Sequence, residues 1–413
     1  LTANVALSCI PFRGAPVRVT YPEDPQEPRR VRASGLGFSP WHVVAPMAGV
    51  LGYHGITFRI LPIVPFPSFA MSTLTYIPDP ALPDLLQGVQ QRASALNRNV
   101  VLCEADDPRV LRAGVQAQQR GVARITLVGN RKAIEQCAAA EGLSLDGLTI
   151  RDPANDPETA ALAERLFQHR QHKGMTPEKA AAEIRKPLVF ANMLVAEGKV
   201  DGSVAGAVHT TADVVRAAIQ LIGTAPGTSL VSSFFLVALD KPHHPMQGGL
   251  IYTDCGLVIN PTSEELVDIA RAGSRSAQQL LGEEPRVAML SFSTAGSGGK
   301  HPDVEKVQRA VALLAAAEPD LKLDGEVQFD AAMVPSIATR KLPDSKLKGR
   351  ANVLVFPNLD AGNIGYKITE RIGGAMVVGP LLQGLRRPAN DLSRGADTPD
   401  IVNAIAVTAL QSA

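Results

Sequence analysis

From residue 85 onward, short apolar runs bounded by polar residues alternate with stretches in which apolar side chains recur every three to four positions. The first pattern predicts buried strands and the second amphipathic helices. Strands are predicted at 99–104, 123–128, 147–151, 201–205, 229–239, 249–253, 286–291, 351–356 and 374–379. Helices are predicted at 108–119, 131–141, 157–172, 177–184, 187–198, 210–222, 263–281, 302–317, 362–371 and 399–411. This alternation predicts an α/β fold, a parallel sheet with helices on its faces. A second α/β unit starts near residue 240. In such folds ligands bind beyond the carboxyl ends of the strands or in the cleft between units.

The first 83 residues break that rhythm. They hold 13 of the 31 prolines, and residues 1–76 hold nine of the 18 aromatics, including the sole tryptophan, Trp41. Runs such as 61–67 (LPIVPFP) cannot be central strands, because proline lacks the donor N–H. Three readings stand for this segment: an irregular or disordered extension, a partner-binding arm with exposed apolar side chains, or sequence foreign to the native protein, since the chain does not begin with Met.

Composition narrows the function classes. A length of 413 residues favours two domains and supports a large core without disulfide or metal staples. A formal net charge of +1 leaves no bulk basic field for nucleic acid. The four cysteines, Cys9, Cys103, Cys137 and Cys255, are widely spaced with no CxxC, which points to a reducing compartment and the cytoplasm. Apolar runs are interrupted well before 18 positions, so no membrane span is predicted, and residues 1–20 lack the layout of a secretory signal.

Candidate chemistry lies in a few polar segments. The turn 293–300 (STAGSGGK) follows a strand but is not a P-loop: Thr294 replaces the first glycine and His301 follows the lysine. It reads either as a tight βα turn or as a cradle whose N–H groups bind an anion. His169 with His172, and His243 with His244, lack further ligands at metal spacing, so no metal site is predicted. The densest segment is 388–401. There Asp397 or Thr398 is a good N-cap, Pro399 suits the first helical position, and Asp400 lies in the first turn, where the helix dipole favours its charge. Asp400 reads equally as a plain helix-start carboxylate, and Ser393–Arg394 as a polar loop. Together they offer a base, a hydroxyl donor and a planar fork for phosphate.

These segments carry a resemblance. NDLSRG at 390–395, VGPLLQGLRRP at 378–388, PNLDAGNIGYK at 357–367, GAVHTTADVVR at 206–216, FDAAM at 329–333 and RVAMLSFST at 286–294 are similar to motifs of the phosphate acetyltransferase family. The resemblance covers residues 86–413 and the short stand-alone form. It implies reversible acetyl transfer between acetyl phosphate and coenzyme A, by direct thiolate attack in a ternary complex. Asp400 would take the thiol proton, Ser393 would donate to the carbonyl oxygen, and Arg394 would hold the phosphoryl group. Arg371, Arg216, Arg170, Asn390 and Ser297 would contact the substrates, and Cys255 would lie near the site without acting as nucleophile. One departure is Gly298–Gly299, where relatives often have alanine after the Gly–Ser pair.

The resemblance further implies two three-layer α/β subdomains with mainly parallel sheets and the active-site cleft between them, of the isocitrate/isopropylmalate dehydrogenase-like kind, beside the irregular Pro-rich N-terminal extension. The boundaries expected are 1–84 for the extension, 85–243 with 397–413 for a discontinuous first subdomain, and 244–396 for the second. No cofactor is expected, coenzyme A being a substrate. The partners expected are coenzyme A or acetyl-CoA, acetyl phosphate, inorganic phosphate and a second copy of the chain as a homodimer, with no nucleic acid and no membrane. Two rivals are a butyryl-transferring relative and a non-catalytic acyl-CoA-binding regulatory domain. The intact NDLSRG and Asp400 weigh against both.

Overall fold

Side-chain caps and prolines mark where most helices begin in the computed structural model, which describes residues 75–413 except 245, and the backbone of 50–53 and 56–59. The chain divides into two units, Leu1–Met71 and Ser72–Ala413. In the first, strands β1 (Val50–Tyr53) and β2 (Ile56–Arg59) pair antiparallel; the other residues of the expected extension up to 74 lie outside the described ones.

The second unit begins with α1 (Asp84–Leu96), β3 (Asn99–Leu102), α2 (Pro108–Gln119), β4 (Arg124–Val128), α3 (Arg131–Glu141) and β5 (Thr149–Arg151). It continues through α4 (Thr159–Arg170), α5 (Pro177–Glu183), α6 (Pro187–Ala196), β6 (Gly202–Ala205) and α7 (Thr211–Leu221). Then come β7 (Ser232–Leu239), β8 (Gly248–Thr253), α8 (Ser263–Leu281), β9 (Arg286–Leu290), α9 (Pro302–Ala317), β10 (Lys322–Val327), α10 (Phe329–Met333) and α11 (Pro335–Lys341). The chain closes with β11 (Val353–Val355), α12 (Leu359–Arg371), β12 (Met376–Gln383), β13 (Ala389–Asp391) and α13 (Thr398–Gln411).

Among the described residues of this unit the strands form two sheets. One has the order β13-β6-β3-β4-β5 and is parallel throughout. The other has the order β10-β9-β11-β8-β7-β12, parallel from β10 to β8, with β7 antiparallel to both its neighbours. The pleat sends alternate residues to opposite layers. Val100 and Leu102 of β3 join a cluster that also contains α1, α2 and α13 residues, whereas Val101 joins a cluster with α4, α6 and α7 residues. The first of these clusters continues through α8 and α9 to Val287 and Met289 of the second sheet, so both sheets share one core. Each sheet is thus covered by helices on both faces.

Two boundaries need correction. The strand expected to end the first subdomain, 229–239, is β7 and belongs to the second sheet. The segment expected as a loop of the second subdomain contains β13, which pairs parallel with β6 at the edge of the first sheet. The chain therefore crosses between sheets near 222–232 and 383–389, not at 243/244 and 396/397. A strand buried on both faces, as β7 is, carries no pattern that names its sheet. The Ala-Asn-Asp of β13 has no apolar signature at all. Residues before 85 also belong to the packed part of this unit: the Ile77 N–H donates to the Arg120 carbonyl (2.9 Å), and Arg120 pairs with Asp79 (3.3 Å).

The order of the first sheet sets up the site. From β3 the chain moves to β4 on one side, while β6 and β13 lie on the other. The loops after β3, β6 and β13 therefore emerge side by side at the carboxyl edge, around the switch point where such folds bind ligands.

Candidate active site

The loop after β6, residues 206–209, presents four consecutive backbone N–H groups, and a carboxylate of the chain itself occupies them. Glu104, only 3% exposed, accepts from Gly206 (2.9 Å) and Ala207 (2.8 Å) on one oxygen and from Val208 (3.0 Å) and His209 (2.7 Å) on the other. The His209 ring Nδ1 adds a fifth contact at 2.7 Å. Burial pushes the Glu104 carboxyl up, but the His209 side chain and the backbone donors outweigh it and hold the group below its usual range. In turn Glu104 raises His209, against the opposing effect of burial. Gly206 has φ +116°, and a Cβ there would lie 2.4 Å from an Asp391 oxygen, so only glycine lets this loop pass under β13.

The loop after β13 and the first turn of α13 carry the predicted catalytic residues. Gly395 N–H donates to Ser393 Oγ at 3.2 Å, which leaves the Ser393 O–H free to donate elsewhere. Arg394 is exposed and makes no ion pair among the described residues. Asp397 caps α13 by accepting from Asp400 N–H (3.0 Å), and Asp400 Oδ2 accepts from Asp397 N–H (3.2 Å), a capping box. Asp400 is raised above the ordinary carboxylate range, first by burial, then by the like charges of Asp397 and Glu370, which oppose the hydrogen bond from Asp397 N–H. Asp400, Ser393 and Arg371 line one cleft of about 100 Å³, with Tyr366 stacked on Phe235 in its wall at 4.0 Å. That space fits reacting ends, not a whole dinucleotide-sized ligand.

A base with a raised pKa imposes a pH signature. Activity that needs ionised Asp400 falls as pH drops through that raised value, earlier than for an ordinary carboxylate near about 4. Asp397→Asn keeps the cap but removes the like charge. Its pH–kcat/KM profile is expected to show the acid limb moved to lower pH; an unmoved limb contradicts the coupling.

The other predicted contacts separate. Arg170 and Arg216 meet in a second hollow of about 340 Å³ lined also by Lys186 and His209. Of the predicted arginines, Arg371 lines the first cleft, Arg170 and Arg216 line the second, and Arg394 lines neither. Asn390 is corrected from substrate contact to buried joint: its oxygen accepts from Leu382 N–H (2.7 Å), and its amide donates to Thr408 Oγ1 (2.8 Å) and Gln411 Oε1 (2.7 Å). Ser297 does not line the cleft; its Oγ accepts from Thr294 N–H (3.0 Å). The turn around it is closed on itself, with Gly296 N–H on Glu326 (2.6 Å) and Gly298 N–H on Ser293 Oγ (2.8 Å), so the anion cradle read from that turn has its donors already committed.

Sequence reasoning missed Asp391, Glu104 and Arg109. Asp391 is 1% exposed and lines the cleft. Burial pushes it up to about 6. The signal for Glu104 was its place just past an apolar run, at a strand's carboxyl end, and Arg109 stands in the first turn of the helix that follows. Cys255 is fully buried, and burial pushes its thiol well up, which suits packing and not nucleophilic attack. No cluster of three or more His, Cys, Asp or Glu among the described residues is placed to hold a metal ion.

Comparison with known proteins finds relatives over most of this chain. The family model described as Phosphate acetyl/butaryl transferase matches residues 84–409. The chain is 49% identical over 327 residues to a phosphate acetyltransferase of Paracoccus denitrificans, covering 79% of this chain and 99% of that protein. It is 44% identical over 327 residues to one of Acetivibrio thermocellus, covering 79% and 98%. Among solved structures, the EutD phosphotransacetylase from Staphylococcus aureus aligns with a TM-score of 0.74 at 40% identity, covering 80% of this chain and 98% of that one. A phosphotransacetylase from Streptococcus pyogenes aligns with a TM-score of 0.74 at 39% identity, covering 79% and 98%.

Proposed function

The chain belongs to the phosphate acetyl/butaryl transferase family, and from that premise we propose that it is a phosphate acetyltransferase, moving an acetyl group reversibly between acetyl phosphate and coenzyme A. The observation that carries the reading is a half-buried carboxylate of raised pKa, Asp400, in one cleft with the Ser393 hydroxyl and Arg371. Asp400 takes the proton of the coenzyme A thiol. The sulfur attacks the carbonyl carbon of acetyl phosphate, and the carbonyl electrons move to oxygen, where the Ser393 O–H donates. Collapse of that intermediate breaks the bond between carbon and the phosphoryl oxygen, and inorganic phosphate leaves with the bonding pair. Arg394 and Arg371 hold its oxygens; a planar fork bonds two at once. No acyl-enzyme forms and no cofactor takes part, coenzyme A being a substrate.

The two hollows divide the larger substrate. The thiol end reaches Asp400, and the phosphates of coenzyme A lie against Arg170 and Arg216. Losing one charged hydrogen-bond partner costs about 1.5–3 kcal/mol, so Arg216→Gln is expected to raise KM for coenzyme A about tenfold or more. KM for acetyl phosphate should change much less; equal changes in both would contradict the division. Acyl preference is tested by kcat/KM for acetyl, propionyl and butyryl phosphate. Acetyl is expected to be highest, and a butyryl optimum would replace the acetyl reading.

Ile364 and Ile368 on α12 and Ile372 at its C-cap are exposed and spaced four apart, a single apolar stripe. It supports a homodimer whose interface includes this stripe. Ile368→Glu is expected to shift the sedimenting species from dimer to monomer, and a wild-type monomer rejects the assignment. Cys103, Cys137 and Cys255 are free thiols, which supports a cytoplasmic setting. No helix of the described residues is long and apolar enough to cross a membrane.

A further inference from the structure

We propose that Arg109, which touches no reacting group, is a positioning residue that holds the Ser393–Arg394 loop in register with the 206–209 loop; the inference rests on the acetyl-transfer reading above. Every N–H of its guanidinium has an acceptor. Nε and Nη2 fork onto Asp107 at 3.1 and 2.9 Å. Asp107 is itself fixed as the N-cap of α2, accepting Arg109 N–H at 2.8 Å. The remaining donors reach three carbonyls on two other loops: Nη1 to Arg394 (2.8 Å) and Ala396 (3.1 Å), Nη2 to Ala207 (3.0 Å).

Those carbonyls bracket the chemistry. Arg394 and Ala396 stand between Ser393 and the helix that bears Asp400. Ala207 lies in the loop that leads into α7 and Arg216. One side chain therefore ties the start of α2 to both substrate-facing loops. Lysine cannot replace it, because a point ammonium has three donors and no planar fork. A displacement of about 1 Å in such a loop can cost about 100-fold in rate.

The test is a double-mutant cycle on the full chain, with steady-state kinetics and thermal melting. Arg109→Lys is expected to lower kcat about 100-fold while KM for coenzyme A changes less than about threefold. If Arg109 acts through the Arg394 loop, the same substitution in an Arg394→Gln background costs at least about tenfold less, since coupled sites are not additive. The same factor in both backgrounds, or a lowered melting point with kcat intact, overturns the inference. Should Arg109→Lys fail to fold, Asp107→Ser keeps the cap and removes the fork partner. It is expected to lose about tenfold in kcat with the same coupling, and full activity in it overturns the inference. The wild type in the same assay separates the two readings. No turnover there rejects acetyl transfer and this inference with it, whereas normal turnover beside an unimpaired Arg109→Lys rejects this inference alone.

Discussion

Asp400→Asn is expected to lower kcat by about 10²- to 10⁴-fold, the range typical of a positioned general base. Affinity for coenzyme A should remain within about threefold, because the substitution touches neither Arg170 nor Arg216. Asparagine can still accept from Asp397 N–H, so α13 keeps its start and the melting temperature should hold. The defect has its own pH dependence. A free thiol has a pKa near about 8.5, so the fraction already ionised rises with pH and the missing base matters less. The ratio of wild-type to variant kcat is therefore expected to shrink as pH climbs from 7 to 9. A ratio near one at pH 7, with coenzyme A bound normally, removes Asp400 as the base.

Glu104→Ala carries the largest expected effect on stability. It strips the acceptor from four backbone N–H groups and from His209 in a nearly dry site. Breaking a buried charged pair by removing one partner costs about 3–5 kcal/mol, which for a chain of this size is a large share of total stability. The signs of the two pKa shifts fix when the pair helps. Glu104 is lowered, so its contribution is present above the unfolded value near about 4.3 and is lost as pH falls through the folded value. His209 is raised, so its contribution is full below the unfolded value near about 6.5 and is lost as pH rises through the folded value. Denaturant titrations across pH should show the wild-type advantage over Glu104→Ala largest between these limits. A pH-independent difference below 1 kcal/mol would mean that the loop closes without Glu104.

The helices were largely legible because their ends are written in short-range chemistry. Asp107–Pro108, Asn130, Thr210, the Thr262–Glu265 box and Asp397 with Asp400 each cap where pattern and cap residue coincide. Sheet membership was not legible. Strand β7 is buried along its whole length, and only pairing partners distant in sequence place it beside β8 and β12. Helix α1 and strand β10 were missed for a related reason: Gly88 and Gln90 interrupt one, and Lys322, Asp324 and Glu326 make the other look like a surface loop.

The same limit applies to the site. The family resemblance implied Ser393, Arg371 and Asp400 as one group, and the fold brings them to one cleft. What the motif could not show is direction. Asn390 stands in NDLSRG beside Ser393, yet its side chain faces inward and joins β12, β13 and α13. Nor could spacing place Arg109 beneath residues almost 300 positions away.

The most direct test of acetyl transfer without a covalent intermediate is an initial-rate grid for the wild-type chain. Thioester formation would be followed while acetyl phosphate and coenzyme A are varied together. Intersecting double-reciprocal lines, with no acetylated protein after incubation with acetyl phosphate alone, are the result predicted for transfer in a ternary complex. Parallel lines with an isolable acetyl-enzyme would contradict the direct mechanism, and coenzyme A bound without any turnover would contradict the enzyme itself.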